Sequence, residues 1–189
     1  MMSNNLRVVM LILSCAGLAS AQAAPAAKSS YAVKGKIKGS CVMPQAAPVT
    51  LKTTIDGSGK LDPALSSMTW SIPGWYCNGA SQITLSAKAL RLTSPKTSLT
   101  PSQSQTINFT ARAVSWAATD ATVTTAETTT LGTGALYSGP PKIRNSPRKG
   151  PITIRVGSFT VVKGSSSASV KPVSGAYSAT ITVTLAPNS

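Results

Sequence analysis

Along much of the chain, apolar residues alternate one for one with serine, threonine or lysine. The clearest run is Gly175 to Leu185, where single hydroxyl residues separate Tyr177, Ala179, Ile181, Val183 and Leu185. A period of two predicts a β-strand with one buried and one wet face. Ser81 to Leu92 repeats it, with Ile83, Leu85, Ala87 and Ala89 opposite Thr84, Ser86 and Lys88. Thr106 to Val114 does so through Ile107, Phe109, Ala111 and Ala113, and Lys34, Lys36 and Lys38 alternate with Val33, Gly35, Ile37 and Gly39. Shorter strands are predicted at Val49–Leu51, Met68–Ile72, Ile152–Val156 and Ser158–Val162, the last two broken at Gly157. Turn signals lie between them, as in Asp56-Gly57-Ser58-Gly59. No segment holds a helical period over ten or more residues. The pattern predicts an all-β chain, a sandwich of about seven strands. Thr119 to Thr133 reads as a weak strand or an exposed loop, and proline-rich Ser138 to Pro151 as a mobile basic loop.

The first 23 residues stand apart from this pattern: Arg7, an apolar stretch from Val8 to Ala19, then Ala21-Gln22-Ala23. They read as a secretory signal peptide, with a lipoprotein signal at Cys15 as the rival reading. About 166 residues remain, enough for one domain with a real core. Export leaves two cysteines, Cys41 and Cys77, which an oxidising compartment is expected to bridge. A redox or metal pair is the competing reading, but the chain has no histidine to complete a usual zinc site.

Charge changes the picture less than it first suggests. The whole chain carries 18 basic and 4 acidic residues, a formal +14. Such a balance suits contact with an anionic surface, for which Lys142, Arg144, Arg148 and Lys149 are the candidate residues. Lysines protecting exposed strand edges are the plainer account. Nucleic acid would call for aromatic stacking platforms beside the basic loop, and only Tyr137 is close; no specific nucleic-acid partner is expected. Trp70, Trp75 and Tyr76 read either as a carbohydrate-binding surface or as core aromatics near Cys77. Without histidine the usual serine and cysteine triads are excluded, and Asp56, Asp62, Asp120 and Glu127 form no pair at a readable spacing. Ser146 and Lys149 match Ser-x-x-Lys without the companion motifs. Neither enzyme nor cofactor is expected.

Two stretches together resemble a known family. Lys36-Ile37-Lys38-Gly39-Ser40-Cys41-Val42, followed by Tyr76-Cys77 and the alternating Gln82 to Leu90, resembles the first half of chaperone–usher pilin subunits. Gly175 to Leu185 resembles the last strand of that family and of its spore coat U-type relatives. Asn188 stands where the classical members keep a penultimate tyrosine. The resemblance implies an immunoglobulin-like sandwich lacking its last strand, with Cys41 paired to Cys77. It implies a donor arm over residues 24–33, with Tyr31 and Val33 as plugs and Ala27 and Ser29 at shallower positions, ahead of a domain over 34–189. Gly175, Tyr177, Ala179, Ile181, Val183 and Leu185 would line the acceptor groove. Its partners would be a periplasmic chaperone, an outer-membrane usher and sibling subunits, and its place the periplasm and then a fimbrium supporting adhesion or biofilm. The alternative from another class is a complete, monomeric sandwich at the surface or in the periplasm that binds an anionic glycan.

Overall fold

The computed structural model describes residues 38–42, 49–55, 59, 64–65, 68–164 and 169–188. The expected signal peptide and donor arm, with Ala27, Ser29, Tyr31 and Val33, lie outside the described residues. Among those described, thirteen strands form and no α-helix does. They are β1 (Cys41–Val42), β2 (Val49–Ile55), β3 (Thr69–Cys77), β4 (Ser81–Lys88), β5 (Leu90–Leu92), β6 (Gln103–Ser104) and β7 (Thr106–Val114). After these come β8 (Ala121–Thr124), β9 (Leu136–Ser138), β10 (Lys142–Arg144), β11 (Arg148–Val161), β12 (Lys171–Pro172) and β13 (Gly175–Pro187).

One antiparallel sheet holds eleven of these strands and curls into two layers. The first runs β1-β3-β11-β7, with β8 beyond β7. The second sets β13 against β4 and β5, which are one strand interrupted at Ala89. Leu90↔Ile107, between β5 and β7, joins the layers. Taking β4 and β5 as one, this order is that of strands A-B-E-D and C-F in an immunoglobulin-like sandwich. The fold is an all-β sandwich.

Alternation explains which residues the layers share. Ile107, Phe109, Ala111 and Ala113 of β7 join Ile83, Leu85 and Ala87 of β4 in one buried cluster, with Ile152, Ile154 and Val156 of β11. Where the alternation fails, bulges restore it. Pro73 and Gly74 of β3 face Pro151 alone, so Trp75 and Cys77 return to the inner face, both fully buried. A second shift, between Gly157 and Thr160, lets β11 run as one strand where two were expected.

The segment read as a mobile basic loop is a correction. Ser138 to Pro151 contains the end of β9, all of β10 and the start of β11. Its prolines spare the residues that pair: Lys142, Ile143 and Arg144 take the edge of β4 opposite Ile83, Gln82 and Ser81. Edge strands need only one ladder, so short runs between prolines suffice. Thr119 to Thr133 likewise contributes β8, with Ala121 and Val123 buried.

Candidate functional site

β13 brings the expected groove residues into one row. Tyr177, Ala179, Ile181, Val183 and Leu185 all face the core and all are buried. Their hydroxyl neighbours face the other way; Thr182 and Thr184 are exposed. Gly175 opens the strand at φ +142, and a Cβ there would stand 2.8 Å from Leu92 Cδ1. Backbone conformation and space both demand glycine.

Tyr177 has a further task. Its hydroxyl donates to Val173 O at 2.7 Å, four residues upstream, with Ser104 O at 3.4 Å. A tyrosine early in strand F that bonds back to the preceding corner is the tyrosine corner of immunoglobulin-like sandwiches. Burial pushes its phenol up to about 12. Alternation identified Tyr177 as buried, but could not place an acceptor brought in by the corner.

The two flanks of β13 differ. On one, β4 and β5 pair with it from Pro187↔Ser81 to Tyr177↔Leu92. On the other, where an immunoglobulin sandwich sets its G strand, β2 pairs from Gly175↔Ile55 to Ile181↔Val49. That ladder covers seven of the thirteen residues of β13. Val49, Leu51 and Ile55 carry the apolar row onto β2.

The disulfide forms as expected. Cys41 and Cys77 are cross-strand partners on β1 and β3, 36 residues apart in sequence. Beside it the four basic candidates separate. Arg148, opposite Cys77, lies with its guanidinium carbon 5.7 Å from the centroid of the Trp116 ring. Arg144 Nη1 donates to Trp116 O at 3.1 Å. Lys142 shares the Arg144 face of β10, whereas Lys149 is exposed opposite Tyr76 on the other face of its layer. The structure therefore joins two of the four around one tryptophan. Trp116 is fully buried because Ser115, at φ 69, turns the chain inward after β7; its Nε1 donates to Ser81 Oγ at 3.3 Å. The Nε atoms of Arg144 and Arg148 are buried without a hydrogen-bond partner.

The aromatic trio separates too: Trp75 is in the core, Trp70 packs half-buried against it, and Tyr76 is 40% exposed. Of the four acids, Glu127 has a structural role. Its carboxylate accepts from Thr133 N at 2.8 Å, Thr133 Oγ1 at 2.7 Å, Thr128 N at 3.2 Å and Thr129 Oγ1 at 3.3 Å. Burial pushes this carboxyl up, but the hydrogen bonds from Thr133, Thr128 and Thr129 outweigh it and hold the group below its ordinary value. It latches the loop after β8. Asp56 and Asp62 lie outside the described residues.

Comparison with family models, with curated proteins and with solved structures finds no match to this chain.

Proposed function

We propose that the protein is a structural subunit of a fimbrium, built by strand addition between copies. The observation that carries this reading is the divided flank of β13. A strand from the N-terminal half of the chain occupies the G-strand position over seven residues of a thirteen-residue strand. A strand donated by a second copy continues the sheet beside β13 with main-chain hydrogen bonds, and alternate side chains plug the apolar row. The donor is residues 24–33, with Tyr31 and Val33 inward. A periplasmic chaperone covers the row before assembly and an outer-membrane usher directs the exchange. The alternative, an anionic-glycan binder built on Lys142, Arg144, Arg148 and Lys149, is weakened because Lys149 faces away from the other three.

The test compares the exported protein with a form lacking residues 24–33. The shortened form should aggregate or melt early, and a peptide of residues 24–33 should raise its melting temperature sharply. Tyr31→Arg should block polymerisation and leave the subunit folded. A shortened form that stays monomeric, stable and indifferent to the peptide would overturn the proposal.

A further inference from the structure

The outer face of the β3-β11-β7-β8 layer carries an arrangement that strand pairing alone does not favour. Arg155 of β11 and Arg112 of β7 are direct cross-strand partners, and both side chains are exposed. Like charges directly opposite on one sheet face repel and destabilise the pair. Among the described residues neither has an ion-pair partner. Their outer neighbours along the same row are Thr69 on β3 and Thr122 on β8.

The next row explains what the pair faces. Gly157 lies opposite Thr110, and a Cβ added at Gly157 would meet nothing within 4 Å. The missing side chain leaves a notch beside Arg155. Immediately after it, Ser158 adopts φ 54 as the strand enters its bulge. Thr110, Arg112, Arg155, Val156, Gly157 and Ser158 together line a cavity of about 140 Å³. At roughly 30 Å³ per water, that space takes about four or five waters, room enough for one small polyatomic ion. None of the exposed large apolar side chains (Val42, Tyr76, Leu131, Leu136 and Ile143) lines it.

We infer that the Arg112–Arg155 notch is a binding site for a tetrahedral oxyanion, a phosphate or a sulfate group. Two guanidinium forks supply paired donors of the geometry that such oxygens accept. Thr110, whose hydroxyl pairs with Thr124 Oγ1 at 3.0 Å, and Ser158 border the same space, and the glycine lets the anion approach the backbone. A bound oxyanion also removes the repulsion between the arginines. The site is separate from the β13 row and does not depend on how that strand is completed. The same chemistry comes from a free ion or from an ester on an acidic glycan.

The experiment uses the full exported protein and four forms: the parent, Arg155→Gln, Gly157→Val and Lys171→Gln. Each is melted with inorganic phosphate, with inorganic sulfate and with heparin as a polymer that carries sulfate, and affinities are measured by titration calorimetry. In the parent, saturating anion should raise the melting temperature by several degrees, as ligands that bind only the folded state do. Arg155→Gln should melt higher than the parent without anion, because the repulsion is gone, and should lose the response tenfold or more in affinity. Gly157→Val fills the notch with no change of charge; it should fold and lose the response as well. Lys171→Gln removes one charge elsewhere and should respond as the parent does. Affinity for heparin at least tenfold above that for inorganic sulfate assigns the group to a polymer, and equal affinity per sulfate assigns it to the free ion. An equal response in all four forms, or none in the parent to any probe, overturns the inference.

Discussion

Among the described strands, β13 and β11 are the two longest, 13 and 14 residues, and they are built in opposite ways. β13 holds one alternation from Tyr177 to Leu185 and presents one apolar row to the core. β11 pairs with β3 and β7 and shifts register against each, near Gly150 and near Gly157. An arginine lies near each shift. Arg148 packs against Trp116 between the layers, whereas Arg155 meets Arg112 on the outside. An unbroken strand makes a surface for another strand. A bulged one makes local sites, because a bulge re-aims side chains without ending the sheet.

The sharpest way to break this comparison is to ask whether the bulges loosen the core. Ile181→Ala on β13 and Ile154→Ala on β11 both remove a fully buried side chain. Each should cost about 2 to 5 kcal/mol in chemical denaturation. A much smaller loss at Ile154 would mean that the bulged strand is the softer one. Reducing the Cys41–Cys77 bridge, which anchors the β3 side of β11, should lower stability by about 3 to 4 kcal/mol for its loop of 36 residues.

The glycines sharpen the contrast further. Gly175→Ala drives a methyl against Leu92 at a φ that alanine avoids, so it should destabilise by more than about 1 kcal/mol. A Leu92→Ala background should return part of that loss. Gly157→Ala on β11 has open space and should change stability by about 1 kcal/mol or less, with gain as the expected direction.

The smallest effect is a pH signature specific to β13. Tyr177 ionises near 10 when unfolded and near 12 when folded. Its contribution is therefore fully present below pH 10 and declines as pH rises through about 12, because the unfolded state loses its proton first. Tyr177→Phe should cost about 1 kcal/mol at neutral pH. It should also flatten the alkaline limb of a stability–pH curve; an unchanged limb would place the alkaline sensitivity elsewhere.

The same contrast governs what sequence reading could reach. β7 was legible to the residue, and β4, β5 and β13 nearly so, because a buried face writes itself as a period of two. β9 and β10 were not, since their pairing depends on the edge of β4 rather than on their own apolar content. The bulge at Pro73-Gly74 hid the continuation of β3 because it reads locally as a turn. Arg112 and Arg155 carry no local signal of their meeting; only the register of β7 against β11 brings them together. Of the expected groove residues, the alternating row could be read from the pattern and Gly175 came with the resemblance, while the hydroxyl contact of Tyr177 could not be read. The basic group Lys142, Arg144, Arg148 and Lys149 was legible as charge but not as geometry, because alternation sends Lys149 to the opposite face.

The position of the disulfide also sets how the protein responds to tension. Cys41 and Cys77 join neighbouring strands and enclose 36 residues of chain. Force applied at the two ends of the polypeptide passes through the sulfurs and bypasses β2 and most of β3. At about 3.4 Å per extended residue, roughly 120 Å of contour never pays out when the domain is pulled open. If the protein forms the proposed fibre, that fibre would lengthen under load in shorter steps when oxidised than when reduced.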